Sequence, residues 1–252
     1  MTDKKIILIT GANSGIGYDS SYAVAAASAS NHVIMGCRNL DKGAKALEEL
    51  RARKPAGTLS LLELDVTRDA SIAAAAERIE ADFGVLDVLV NNAGICLQGA
   101  ADRRTEMAQT LDANTIGPLV LAEALLPLLR RSRAGARIVN VSSALGSIGL
   151  RSDPDSDFRA YDIEPYRVSK AGLNMATACL QATCRPWGGR VWSFCPGYVV
   201  TNLTGEGDRQ RRTESGADSS ETSATGILEI IEGKRDHEAG LFLARWGKQH
   251  PW

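Results

Sequence analysis

Lys5-Ile6-Ile7-Leu8-Ile9-Thr10-Gly11-Ala12-Asn13-Ser14-Gly15-Ile16-Gly17 sets the pattern that the rest of the chain repeats. Four consecutive aliphatic residues, Ile6 to Ile9, read as a strand buried on both faces. That is the habit of a parallel sheet rather than of an alternating antiparallel one. Glycines at 11, 15 and 17 follow at once, and a helical segment, 15–30, follows them. Their spacing, four then two, is not the commoner G-x-G-x-x-G, but the physics is the same. Gly11 lets the chain turn sharply off the strand, Gly15 lets main chain come close to a pyrophosphate, and Gly17 lets the helix pack tightly on the sheet. Asn13, Ser14 and Ile16 lie between them in the same phosphate-binding set, and the helix N-terminus offers free N–H groups and a positive dipole end to phosphates. A plain strand-to-helix turn also uses glycine; placement after the first buried strand favours dinucleotide binding.

The same alternation continues outward. Apolar runs at 32–37, 59–64, 85–91, 137–142, 190–195 and 241–244 read as six further strands. Ala- or Leu-rich stretches at 41–53, 69–82, 103–131, 165–185 and 219–232 read as the helices between them. Strict alternation implies right-handed crossovers and helices on both faces of one sheet. The expected fold is α/β: a single doubly wound domain over 1–252, with a seven-stranded, mostly parallel sheet. Two polar stretches break the rhythm: 147–165, with five acidic residues and two prolines, and 203–222, with Arg209, Arg211 and Arg212. Both read as surface loops, the first as an insertion and the second as a lid over the substrate.

Composition excludes several other classes. Apolar residues at 44% and charged residues at 23% are ordinary globular usage, not that of a disordered or fibrous chain. A formal charge of −1, from 29 basic and 30 acidic residues, gives no general pull on nucleic acid or acidic membranes. The apolar stretches 118–122 and 124–129 are broken by Glu123, short of the ~20 residues of a membrane span. Ile6 to Ile9 is too short for a secretory core of roughly 7–15 residues. Five irregularly spaced cysteines without a C-x-x-C, and three scattered histidines, suggest no disulfide framework and no metal site. The cysteines read as buried small hydrophobes in a reducing compartment, so a cytoplasmic location is expected.

Further motifs sit where the strands end. Thr10-Gly11-x-x-x-Gly15-x-Gly17, Asn91-Asn92-Ala93-Gly94 after the fourth strand, Tyr166-x-x-x-Lys170, and Pro196-Gly197 after the sixth strand occur in that order. Together they resemble the short-chain dehydrogenases/reductases, from about residue 5 to 202, and the carbonyl reductases among them. The resemblance implies a catalytic set of Asn114, Ser143, Tyr166 and Lys170. It implies cofactor contacts from Asp65 and Val66 to the adenine and from Asn92, Ala93 and Gly94. Pro196, Gly197, Val199 and Thr201 would approach the nicotinamide amide. Asp65 could equally cap its turn. Ser143 fits the family's S-x-x-G with Gly146; Ser142 is the fallback. In the family the asparagine holds a water that feeds the lysine.

Cofactor choice is read from the end of the second strand. The acidic residue that holds the adenosine ribose lies about 20 positions past the glycines; here that position is Cys37, followed by Arg38. An arginine binds a 2′-phosphate through a charge-assisted fork, so NADP(H) is favoured over NAD(H).

Tyr166 and Lys170, four apart, share one helix face. An ammonium ~4 Å from a phenol is worth up to ~4 kcal/mol at an effective dielectric near 20. That would bring a phenol with pKa ~10 down toward neutrality before burial is subtracted, fitting it for proton transfer. Tyr161, followed four residues later by Pro165, lacks the device. The interval from Ser143 to Tyr166 exceeds the family's usual gap by about ten residues, which bears on pocket shape and on the helix contact used for dimers. The expectation is an NADP(H)-dependent oxidoreductase acting on a small carbonyl or alcohol substrate, as a homodimer or homotetramer. An NAD-dependent alcohol dehydrogenase and a non-catalytic NADP(H) sensor are the alternatives.

Overall fold

The computed structural model describes residues 4–205 and 207–252; Met1–Asp3 and Glu206, which falls inside the expected 203–222 lid, lie outside the described residues. The strands are β1 (Lys5–Thr10), β2 (Asn31–Cys37), β3 (Thr58–Glu63), β4 (Val88–Asn91), β5 (Arg137–Val141), β6 (Arg190–Cys195) and β7 (Phe242–Ala244). They form one sheet in the order β3-β2-β1-β4-β5-β6-β7, and every pairing is parallel rather than mostly so. The order reverses between β1 and β4, which opens a crevice above the carboxyl ends of those strands.

Residues alternate across the sheet, and each face has its own core. Ile7 and Ile9 of β1 pack with Val24 of α1 (Gly15–Ala27), Leu50 of α2 (Leu40–Ala52) and Ile227 of α9 (Ser220–Ile231). Ile6 and Leu8 face the other way, onto Ile72 of α3 (Asp69–Phe83), Leu125 of α5 (Gly117–Leu129) and Leu180 of α7 (Glu164–Cys184). Both faces are apolar, which is why the strands read as continuous runs.

Several elements depart from the sequence reading. The fourth strand begins at Val88; at Asp87 the side chain joins the edge of the ladder, its carboxylate accepting from Ile6 N–H at 2.7 Å and from the Ser132 hydroxyl at 2.6 Å. The single helix expected over 103–131 is α4 (Arg103–Leu111), a π-turn (Asp112–Ile116) and α5. Pro118 lacks the N–H that would bond the Asn114 carbonyl, so the α-helical ladder must be broken there. The run Arg103–Leu129 is, by length and composition alone, long and apolar enough to cross a membrane, contrary to the expectation that none is. Leu121, Leu125, Leu128 and Leu129 spend that apolar character against the sheet. The 147–165 stretch contains α6 (Ile148–Ser152) and a 3₁₀ turn (Asp157–Ala160), and 203–222 contains α8 (Asp208–Glu214). Of the five free cysteines four are buried, but Cys179 is exposed on α7.

α7 is the element that places the site. Pro165 stands in its first turn, where a missing N–H costs nothing. Tyr166, Ser169, Lys170, Leu173, Asn174, Thr177 and Leu180 are its buried stripe, at the spacing of one helix face. Gly146 allows the close approach: a Cβ there would lie 2.6 Å from the main-chain carbon of Lys170. Gly146→Ala is therefore expected to cost about 1–3 kcal/mol through overpacking against rigid backbone, read as a lower midpoint in urea unfolding with an unchanged slope.

Candidate active site

The crevice at the sheet reversal is a cleft of about 300 Å³. Its walls include Gly11, Asn13, Ser14, Gly15, Ile16, Arg38, Asp65, Val66, Asn92, Ala93, Gly94, Ser143, Tyr166, Lys170, Pro196, Gly197, Val199 and Thr201. Two members of the expected set stand behind the wall. Gly17 is buried under it, where a Cβ would lie 2.5 Å from Asn92 Nδ2 and from the Gly11 carbonyl. Asn114, fully buried in the π-turn, stands behind Gly94.

At one end of the cleft β1 gives way to α1 through two left-handed glycines, Gly11 (φ +64°) and Gly15 (φ +54°). Only glycine takes such angles without strain. Ser14 precedes the helix and its hydroxyl makes no capping bond, so the first-turn N–H groups stay open to the cleft. Thr10 and Asn92 lock this turn to the end of β4: Asn92 N–H and Ala93 N–H donate to Thr10 Oγ1 at 3.0 and 2.9 Å, and Asn92 Nδ2 donates to the Thr10 carbonyl at 2.8 Å. Arg38 is exposed at the end of β2, beside the cleft. Cys37 before it is buried and its thiol is pushed up to about 11, so the ribose-holding position carries no negative charge near neutrality. Asp65 lines the cleft, and its carboxylate caps its own turn by accepting from Thr67 N–H and Oγ1 at 3.0 and 2.7 Å, the alternative reading of this residue.

At the other end lie Ser143, Tyr166 and Lys170. The Tyr166 phenol shares a hydrogen bond with Ser143. Lys170 Nζ donates to the Val141 carbonyl at 2.9 Å and lies 5.7 Å from the centre of the Tyr166 ring. Both side chains are almost wholly buried, and this reverses one expectation. Burial pushes the Lys170 ammonium down to about 8 and pushes the Tyr166 phenol up, above its ordinary range. Desolvation opposes the charged form of both groups and is the largest cause of both shifts.

The two serines differ in their partners. Both line the cleft, but Ser142 is buried and donates to Asn174 Oδ1 at 2.6 Å, a bond internal to the fold, whereas Ser143 lies beside Tyr166. Asn114 uses its amide to hold the chain after β4, accepting from Ile95 N–H and donating to the Ile95 carbonyl, both at 2.8 Å. A Cβ on Gly94 would lie 3.0 Å from Asn114 Oδ1 and 3.5 Å from Lys170 Nζ, so both polar atoms border the space that glycine leaves open. Cys195 packs under Ala144, accepting its N–H at 3.1 Å, and burial pushes its thiol up, which suits a packed residue and not a nucleophile.

Sequence reasoning missed Ile95, Asn202, Leu203 and Arg212 in the cleft wall. Cys96 N–H donates to the Leu203 carbonyl at 3.4 Å, joining the loops after β4 and β6 across the cleft. Arg212 of α8 donates to the Val199 carbonyl at 3.2 Å and lies 5.5 Å from the centre of the Tyr198 ring. Three arginines within 209–212 were visible; which one turns inward was not. The 147–165 stretch contributes none of the residues lining the cleft among those described.

Comparison with known proteins agrees with this architecture. Residues 5–212 match the family model of the short chain dehydrogenases. The chain is 32% identical to the short-chain dehydrogenase/reductase eupG of a Phoma species, covering 99% of this chain and 98% of that one. It is similar in structure to an NADPH-bound carbonyl reductase from chicken fatty liver (TM-score 0.82, 30% identity, all of both chains). It is likewise similar to the carbonyl reductase Sniffer of Drosophila melanogaster (TM-score 0.81, 31% identity, 99% of this chain and all of that one). With an all-parallel doubly wound sheet, a glycine turn into α1 and a Tyr166–Lys170 pair at the sheet's carboxyl end, the chain belongs to the short-chain dehydrogenase/reductase family and is an oxidoreductase of carbonyl-reductase-like build.

Proposed function

We propose that the protein is an NADP(H)-dependent reductase of ketones or aldehydes, reversible toward the alcohol. The observation that carries this is the meeting of Ser143, Tyr166 and Lys170 on one wall of a cleft whose far end holds the α1 N-terminus and Arg38. The cleft fits a dinucleotide: open N–H groups and left-handed glycines suit a pyrophosphate, and Arg38, preceded by a cysteine where an acid would hold the ribose, suits a 2′-phosphate. Bound there, the nicotinamide supplies the hydride. In this reading Ser143 holds the substrate oxygen, Tyr166 gives it a proton, Lys170 favours the phenolate and anchors the ribose, and Asn114 supports the proton supply behind Gly94. The NADPH in the chicken carbonyl reductase supports the same cofactor here.

Leu203 and Arg212 in the cleft wall support reading the 203–222 segment as the substrate wall and lid. For assembly we propose a homodimer or homotetramer: Val168 and Met175, seven apart on α7, and Ile116 are exposed apolar residues that helix contact would cover. The buried free thiols favour a reducing, cytoplasmic setting.

Tyr166→Phe is expected to lower kcat by about 10²–10⁴-fold while NADPH binding, followed by fluorescence, persists. Retention of kcat would remove Tyr166 as proton donor. Arg38→Asp is expected to weaken NADPH on the order of 10²-fold and to improve NADH, since an attraction is replaced by a repulsion. Equal affinity of the unmodified protein for both cofactors would favour the NAD-dependent alternative.

The charge on Lys170 can be read without any substrate. Unfolded, this lysine holds its proton to about 10.5; folded, it releases it near 8. Between these values the unfolded chain binds more protons, so stability rises with pH across that window and the burial penalty is complete below it. Relative to Lys170→Met, the cofactor-free protein is expected to gain about 3 kcal/mol between pH 8 and 10.5 in urea unfolding. A pH-independent difference would place the lysine's ionisation elsewhere.

A further inference from the structure

Ser143 and Tyr166 share a hydrogen bond, yet 22 residues lie between them in the chain, most of them in the 147–165 insertion. Closing a loop of such length costs conformational entropy and does not by itself set two side chains against each other. Something must tie the two ends together.

The residue after the tyrosine does so. Arg167 is 6% exposed, and its guanidinium reaches main-chain carbonyls at both ends of the insertion. Nη1 donates to the Leu145 carbonyl at 3.1 Å, in the turn that follows Ser143. Nε donates to the Tyr161 carbonyl at 2.7 Å, and Nη2 donates to the Phe158 carbonyl. The first contact closes a ring. Leu145 N–H donates to Ser143 Oγ at 3.2 Å, Ser143 bonds the Tyr166 phenol, and Tyr166 is joined by one peptide bond to Arg167. A planar, five-donor fork can bond three carbonyls at once; an ammonium at the same place cannot match that geometry. The insertion is also held from outside, where Ser147 Oγ donates to the Pro251 carbonyl at 2.7 Å and Gly149 N–H to the Trp252 carbonyl at 2.8 Å. On the inner side Asn174 Nδ2 donates to the Gly146 carbonyl at 3.3 Å, and Arg167, next to Tyr166 in the chain, joins the same turn and the far end of the insertion to the start of α7.

We propose that Arg167 is a positioning residue whose guanidinium holds the Ser143 turn and the insertion against the start of α7, and so sets the Ser143 hydroxyl against the Tyr166 phenol. The inference rests on the reading of Tyr166 as proton donor for its effect on rate, but not for the tie itself. Its test uses Arg167→Met and Arg167→Lys in the full chain, with kcat and KM for a carbonyl substrate, NADPH affinity by fluorescence, and amide hydrogen exchange at Leu145 and Gly146. Arg167→Met is expected to lower kcat by about 10²-fold, the scale of a misplacement near 1 Å, with NADPH affinity nearly unchanged and faster exchange at Leu145. Arg167→Lys, which can serve fewer of the carbonyls, is expected to recover part of the rate, and it carries the same comparison where the methionine variant does not fold. Unaltered kcat in a folded variant overturns the proposal. So does a loss of kcat matched by loss of NADPH affinity and of the unfolding midpoint, which marks general destabilisation. Tyr166→Phe run in parallel separates the two readings. If it keeps its kcat, the proton-donor role fails; exchange at Leu145 then decides the tie alone, faster exchange upholding it and unchanged exchange overturning it.

Discussion

The ammonium of Lys170, buried at the carboxyl end of the sheet and bonded to the Val141 carbonyl, is the constraint around which the rest of the site is arranged. Taking an ammonium out of water costs several kcal/mol after relaxation, and one carbonyl does not repay it. The neighbours are therefore arranged to leave it room. Gly146 admits the α7 backbone, and Gly94 leaves open the space that Asn114 Oδ1 and Lys170 Nζ share. A larger residue at either place would push the helix or the cation out of the cleft. The depressed lysine and the raised phenol are two sides of one fact. The pair is dry, and burial shifts both groups toward their uncharged forms, although a lysine near 8 still holds its proton at neutral pH. A dry, preorganised pair is costly at rest, but it magnifies whatever charge a bound cofactor and a reacting oxygen bring to it.

That cost is carried by α7, and α7 is held by polar as well as apolar contacts. Asn91 donates to Asn140 at 2.8 Å, and Asn140 to Thr177 at 2.8 Å, running from β4 through β5 to the helix. Asn174 Oδ1 accepts from Ser142 and from Ser193, both at 2.6 Å, fastening the same helix to β5 and β6. Buried polar groups with definite partners fix register in a way that aliphatic contacts do not. The helix therefore has little freedom to slide along or rotate on the sheet, so the reach of Tyr166 and Lys170 into the cleft depends also on bonds further along α7.

What the sequence showed and what it hid follow from range. Ile6–Ile9 and Gly11, Gly15 and Gly17 are local patterns, and they located β1, the turn and α1 correctly. The four-residue spacing of Tyr166 and Lys170 required a shared helix face, which α7 supplies. The break at 112–116 was also written locally, in Pro118 and its missing N–H, but the leucine periodicity around it reads as one helix. The direction of the phenol's shift was not local. It depends on burial from all sides, which no spacing reveals, and Coulomb attraction taken alone gave the opposite sign. Arg212 and Arg167 were hidden for the same reason. Arg212 lies in a polar stretch and Arg167 in the first turn of a helix, and only the fold decides that one turns toward the cleft and the other into the base of an insertion.

The two irregular segments have divided the work that a single loop would otherwise do. Both leave the carboxyl end of the sheet, yet among the described residues only the one after β6 contributes to the cleft wall. It is bridged to the facing loop by Cys96 and Leu203. Its base is fastened by Arg245, which bonds Asp218 at 2.8 Å and Thr222 at 2.5 Å. The segment after β5 turns outward instead, onto the chain's C-terminal residues, where Phe158 meets His250 edge-on and Trp252 stacks on Phe242. Extra length there can be absorbed without entering the cleft, provided that its two ends return to a fixed separation. The long interval between Ser143 and Tyr166 is thus tolerated by geometry that keeps its ends together, while the shape of the substrate wall is left to the residues that follow β6.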